Sequence, residues 1–270
     1  MDEQQSIIKY PDGFSYAKLK EFPKEFIFRI NSYEDLWHLH QILDVYKYFN
    51  IKPTVIIPNL PDAQADRRFN KNESHGLRLV CKFLNKMYAN FKIFHPHNQE
   101  VVEALIDNVE IIDNSHFIHK ILSINSYYNN DKLIIMSPDA GAAKWLGKTL
   151  DIVRWKGDFL SADKVRKDGK IVHQTVPLED FKGKDVLIVD DICVYGGTFK
   201  GLAKLLKEHN CGKLYLAVSH LAVSSFQKED NIFSYFDTVF TTNSKYDEYW
   251  IQTDGNSGKQ PENLQIIKLF

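Results

Sequence analysis

An α/β fold with mostly parallel sheets flanked by helices follows from three observations in this sequence. The first is a series of short apolar runs: Thr54–Ile57, Lys92–Phe94, Leu133–Met136, Val186–Val189, Leu214–Val218 and Thr238–Phe240. They are rich in β-branched residues and do not alternate, the pattern of strands covered on both faces. Second, helical patterns lie between them, and alternating strand and helix builds parallel sheets through right-handed crossovers. Third, about seven strands over 270 residues fill two sheets better than one. The polar stretch Asp113-Asn114-Ser115-His116 then marks the division, giving domains 1–114 and 115–270.

The helices are justified in turn. Ser32 can cap a helix running to about Phe49, with Glu34 and Asp35 in the first turn, where the helix dipole favours negative charge. Residues Glu73 to Tyr88 place Leu77, Val80, Cys81 and Leu84 on one face. Residues Thr198 to His209 bring Leu202, Leu205 and Leu206 together, and Gly212 is expected to end that helix.

Composition excludes several classes. Apolar residues make up 44% and charged residues 26%, the balance of an ordinary soluble domain, and the net charge of -1 leaves no footprint for nucleic acid or a membrane surface. Cys81, Cys193 and Cys211 form no CxxC pair, so neither a disulfide framework nor a structural zinc site is expected. No apolar run reaches the roughly 18 residues of a membrane span, and the start MDEQQSIIKYPDG is unlike a signal peptide. A cytoplasmic location is expected.

The chemistry is concentrated in Val186-Leu187-Ile188-Val189-Asp190-Asp191-Ile192-Cys193-Val194-Tyr195-Gly196-Gly197-Thr198. An apolar strand leads into two adjacent carboxylates, then a short loop reaches Gly-Gly-Thr at a helix start. Ligands of parallel α/β folds bind at the carboxyl ends of strands. Two glycines leave N–H groups open to an anion at the positive end of the helix, and two acids suit a ribose diol with Mg²⁺ nearby. Each feature alone reads better as a polar turn with a helix cap; it is their conjunction that points to a site.

That run resembles the phosphoribosyl-pyrophosphate loop of type I phosphoribosyltransferases and ribose-phosphate pyrophosphokinases. Other segments are similar to the pyrophosphokinases in particular: Ser137-Pro138-Asp139-Ala140-Gly141-Ala142-Ala143-Lys144, Pro58 to Leu84 with Asp66-Arg67-Arg68, His95-Pro96-His97-Asn98-Gln99, Lys164-Val165-Arg166, and Tyr10-Pro11-Asp12-Gly13. The resemblance runs in order from about residue 8 to residue 268 and implies two phosphoribosyltransferase-like domains. It further implies attack of a sugar's anomeric oxygen on the β-phosphorus of Mg·ATP with release of AMP. On it, His97 and Asp139 match Mg·ATP ligands, Lys164 and Arg166 the cations on a mobile catalytic loop, and Asp66 and Arg67 the ATP contacts. Asp12 matches a residue lent by a neighbouring subunit, and Asp190, Asp191, Tyr195, Gly196, Gly197 and Thr198 hold the sugar phosphate.

Two departures from the family pattern carry information. Gln64-Ala65 stands where Arg-Gln would precede Asp66, which removes a guanidinium able to stack on adenine. Val194-Tyr195 stands where Asp and Thr would precede Gly-Gly-Thr; a phenol there intrudes on a phosphate monoester but offers a platform for a base. The expected acceptor is therefore ADP-ribose, as in a phage branch of this family that feeds NAD synthesis. The alternatives are ribose 5-phosphate itself, a phosphoribosyltransferase with no ATP site, and a silent regulatory paralogue. The chain also looks trimmed at both ends relative to the family, which implies a simple homo-oligomer such as a dimer, with weakened regulation.

Overall fold

The computed structural model describes residues 5–68, 70–124, 131–167, 170–222, 224, 226, 230–245 and 261–270. The chain forms two compact units, Met1–Ile112 with Phe270, and Asp113–Leu269.

In the first unit an antiparallel hairpin, β1 (Gln5–Lys9) and β2 (Ser15–Leu19), precedes a parallel sheet. The sheet has the order β3-β4-β5-β6: Glu25–Ile27, Thr54–Ile57, Asn90–Phe94 and Val109–Ile112. Helix α1 (Tyr33–Tyr48) starts as expected, and Ser32 and Asp35 form a full capping box. Its face of Leu39, Ile42, Leu43 and Tyr46 is almost wholly buried, each side chain contributing about 1.5–3 kcal/mol. The hairpin docks on α1 where Gln41 Nε2 donates to the Ser15 carbonyl at 2.8 Å. Helix α2 (Gly76–Leu84) buries the expected Leu77, Val80, Cys81 and Leu84 but is shorter than its apolar pattern, since His75 provides no side-chain cap. Helix α3 (Gln99–Leu105) completes the unit.

The second unit begins with α4 (Ser115–Ile124) and holds a six-stranded, wholly parallel sheet ordered β14-β13-β12-β11-β7-β8. Its strands are β7 (Leu133–Ser137), β8 (Phe159–Ser161), β11 (Asp185–Cys193), β12 (Leu214–Leu221), β13 (Thr238–Thr242) and β14 (Leu264–Ile267). Every residue of β7 and of β12 is buried, which accounts for their unbroken apolar runs. Helices α5 (Ala140–Ile152) and α6 (Gly197–Glu208) connect strands. The left-handed residue ending α6 is Asn210, with φ 58°, rather than Gly212. Gly212 has a different duty, because a Cβ there would lie 2.5 Å from the Gly183 carbonyl oxygen.

A second difference concerns the charged stretch around Lys164, expected as a loop. It forms an antiparallel ribbon, β9 (Asp163–Lys167) with β10 (Lys170–Thr175). Its cross-strand pairs include Lys164 with Gln174 and Asp163 with Thr175. Among the described residues no helix is long and apolar enough to cross a membrane, and all three cysteines are free.

Candidate active site

Sheet order fixes where ligand can bind in the second unit. From β7 the chain passes through α5 outward to β8, whereas from β11 it passes through α6 the opposite way to β12. The crevice at the carboxyl ends of β7 and β11 is thus a topological switch point, the place where open α/β sheets take ligands. The β7–β11 ladder stops at Ile188 opposite Met136, while β11 runs on beside β12 to Cys193. The two acids therefore lie within β11 rather than just past it, in the part of the strand that has parted from β7.

Asp139 leaves the end of β7 and caps α5, its Oδ1 accepting from Ala142 N at 2.9 Å. Its Oδ2 is paired with Lys164 Nζ of the β9–β10 ribbon. Burial pushes this carboxyl up, but Lys164 and the N–H groups of Ala142 and Gly141 outweigh it and hold the acid below its usual range. The backbone of Arg166 lies on β9, one strand position beyond Val165; its side chain lies outside the described residues.

Across the crevice, Asp190 Oδ1 accepts from Asp191 N at 2.9 Å, and Asp191 is buried. Burial above all, then the charge of Asp191, raises the Asp190 acid well above the usual range. Asp139 adds to this, so its carboxylate acts electrostatically on the diacid. Burial and the neighbouring Asp190 also push the Cys193 thiol up to about 12, leaving it inert. The loop that follows is fastened by Ser224, whose hydroxyl donates to the Val194 carbonyl at 2.7 Å. Gly196 caps α6 with φ 76°, and a Cβ on it would lie 2.8 Å from Ile232 Cδ1. Gly197 is exposed with open space around it, Thr198 is half-buried at the first turn, and the Tyr195 side chain is 58% exposed.

In the first unit, the loops after β4 and β5 leave adjacent parallel strands at the same edge. Asn98 ties them together: its Oδ1 caps α3 by accepting from Val101 N at 3.2 Å, and its Nδ2 donates to Asp66 Oδ2 at 2.9 Å. Asp66 is half-buried, while Arg67 and His97 are exposed. His97 follows a turn in which His95 has φ 38°. Asp12 sits in the β1–β2 turn and accepts from Phe14 N at 3.1 Å. Asn98 and Ser224 were absent from the sequence-based site. The capping position of Asn98 was readable; nothing local marks Ser224.

Among the described residues no three His, Cys, Asp or Glu gather to hold an ion. Mg²⁺ commonly takes only one or two carboxylates plus substrate phosphates, and the electrostatic strain at Asp190 is what a divalent cation would relieve. The donor chemistry fits Mg²⁺.

A switch-point crevice with an acidic strand end and a glycine loop on a helix start defines a parallel α/β protein with a ligand-type crevice. The phosphoribosyl transferase domain family matches residues 104–252, more than half of the chain, and the chain belongs to that family. Within it, the chain is similar to the ribose-phosphate pyrophosphokinase of Pyrococcus furiosus, 29% identical over 227 residues, covering 79% of this chain and 76% of that one. The enzyme of the same name from Sulfurisphaera tokodaii is 25% identical over 246 residues, covering 87% and 82%. Among solved structures, the phosphoribosylpyrophosphate synthetase of Mycobacterium smegmatis shares the fold with a TM-score of 0.76 at 19% identity, over 98% of this chain and 85% of that one.

Proposed function

We propose that this chain is an ATP-dependent diphosphokinase that transfers the β,γ-diphosphate of ATP to the anomeric hydroxyl of a ribose 5-phosphate-type sugar and releases AMP. The observation that carries this reading is the shared crevice: Asp139 with Lys164 on one side, and the loop from Asp190 to Thr198 on the other, at the carboxyl ends of adjacent strands. A bond forms between the anomeric oxygen and the β-phosphorus, the bond from that phosphorus to the α,β-bridging oxygen breaks with its electron pair staying on AMP, and the hydroxyl proton passes to solvent. Such a transfer asks the protein mainly for positioning and positive charge. Asp190 and Asp191 orient the diol, and Gly196, Gly197 and Thr198 present N–H groups to the 5-phosphate. Lys164 and Arg166 neutralise the diphosphate in flight.

Asp66, Arg67 and His97 contact ATP on this reading, and Asp12 comes from a neighbouring copy in a dimer or larger homo-oligomer. By resemblance to the pyrophosphokinases, Asp139 and His97 would each contribute to holding Mg²⁺ with the ATP phosphates, and the ion would supply further charge neutralisation. The relatives' names support the pyrophosphokinase reaction itself.

The acceptor we favour is ADP-ribose, giving ADP-ribose 1-pyrophosphate for NAD synthesis. The supporting observation is Tyr195, a large exposed ring beside the phosphate loop that can stack on a base. The names of the relatives favour ribose 5-phosphate as the second reading. Mass spectrometry of products from ATP, Mg²⁺ and either sugar separates them. The absence of AMP with both removes the kinase reading, and faster turnover of ribose 5-phosphate removes the ADP-ribose preference.

A further inference from the structure

The β9–β10 ribbon carries Lys164, and its register puts Gln174 directly opposite that lysine. Directly opposed residues of an antiparallel pair share a face, so the two side chains leave the ribbon together. They grip different helices. Lys164 reaches Asp139, the cap of α5. Gln174 Nε2 donates to the Thr198 carbonyl at 3.1 Å, in the first turn of α6, and its Oε1 lies over Gly201 one turn further on. Gly201 is the residue that makes room: a methyl there would run into Gln174 Oε1. Glycine in a helix interior is costly, and this contact accounts for it.

We infer that Gln174 is a positioning residue, seating the ribbon on the helix that begins with the Gly196-Gly197-Thr198 loop so that Lys164 stands at the Asp139 side of the crevice. The inference rests on the diphosphokinase reading for its catalytic consequence, though not for the seating itself. Thr198 and Gln174 are joined through a main-chain carbonyl, so the register of the ribbon follows the first turn of α6. Lys164 is thus held in place through the element that also holds the sugar phosphate. A lysine alone on an unanchored ribbon would sample many positions, and displacement of a reacting group by about 1 Å can cost up to about 100-fold in rate.

The test uses Gln174→Ala, Gly201→Ala and Lys164→Ala in the full chain, with turnover, ATP binding and backbone amide exchange of residues 163–167 and 170–175 as readouts. We expect Gln174→Ala to lower kcat roughly 10-fold with ATP affinity unchanged, part of the loss that misplacing Lys164 can cause. In the Lys164→Ala background the same change should cost under about 2-fold, since a residue acting through another adds nothing once that one is gone. Gly201→Ala should lower kcat while keeping or raising the melting temperature, because alanine is the better helix former. Poor folding cannot produce that combination. Unchanged kcat in Gln174→Ala, or an equal loss with and without Lys164, would overturn the positioning role. Should the unmodified chain release no AMP with either acceptor, the diphosphokinase reading fails. The seating is then judged by exchange alone: both Gln174→Ala and Gly201→Ala must accelerate it, and unchanged exchange refutes the seating.

Discussion

Replacing Asp139 separates its two duties, since each carboxylate oxygen has a different partner. Oδ1 caps α5 through Ala142 N, and Oδ2 pairs with Lys164. Losing a capping side chain costs about 0.5–2 kcal/mol, with about 1 typical. The ion pair, with side chains 18% and 24% exposed, adds only about 0.5–1 kcal/mol. Asp139→Ala forfeits both and should lose about 1.5–2 kcal/mol, a fall of roughly 3–8 °C in melting temperature at about 2–4 °C per kcal/mol. Asp139→Ser keeps a capping oxygen and should lose only the ion-pair share, roughly 1–4 °C. Activity, however, should fall equally in both, because neither retains the carboxylate. Thermal unfolding and AMP release on the same samples make the comparison. Equal stability loss in the two variants would refute the capping argument, and retained turnover in Asp139→Ser would refute the role of the charge. The sign with pH follows from the lowered acid: ionised Asp139 stabilises at neutral pH, and the gap between wild type and Asp139→Ala narrows towards the cap share as pH falls through the depressed value.

Asp190 runs the other way. Its acid is raised, so its contribution is fully present below the ordinary carboxylate range and is lost as pH rises through the raised value; Asp190→Asn should melt higher than wild type at neutral pH, with the advantage shrinking on acidification and turnover lost. A lower melting point for Asp190→Asn at neutral pH would contradict the electrostatic strain. Gly196→Ala should destabilise by about 1–3 kcal/mol from its left-handed φ, before any adjustment of Ile232, as read by thermal melting. Gly197→Ala, with open space around it, should leave the melting point within about 2–4 °C and raise the acceptor KM. Lys164→Ala should lower kcat far more than ATP binding, measured by single-turnover kinetics beside calorimetry, because its charge acts on the transferring group.

What the sequence made legible follows from which surfaces each segment buries. Strands β4, β7, β11, β12 and β13 lie inside sheets, so both faces are apolar and their runs stand out. Strands β9 and β10 carry Lys164, Arg166, Lys167 and Lys170, and their pairing is visible only in three dimensions. Helix α5 was hidden behind Gly141 and Gly147, although Asp139 offered a capping signal. The diacid and the glycine loop were readable because strand, acids, glycines and helix start are consecutive in the chain. Gln174 and Ser224 act through partners 24 and 30 residues away, and no local pattern reveals them; the cap formed by Asn98 is local, but its bond to Asp66, 32 residues away, is not.

Three of the groups at or beside the candidate site also start helices. Asn98 caps α3 while holding Asp66, Asp139 caps α5 while pairing with Lys164, and Gly196 opens α6 while shaping the anion loop. The coincidence has a physical cause. A helix N-terminus at the carboxyl end of a parallel strand offers unpaired N–H groups, and whatever satisfies them, side chain or ligand phosphate, must sit at the same spot. Where a carboxylate supplies the cap, as Asp139 does, one oxygen is committed to the fold and the other faces the crevice. Where glycine supplies it, as Gly196 does, no side-chain cap bond forms. The two crevice helices thus differ at their starts: α5 is closed by the protein's own carboxylate, whereas on the proposed reading α6 is left for substrate. On that division, phosphate or a sugar phosphate should stabilise wild type by binding at α6, and Gly196→Asp, which supplies a rival carboxylate there, should abolish the effect. A thermal shift with inorganic phosphate that survives in Gly196→Asp would mean the anion binds elsewhere.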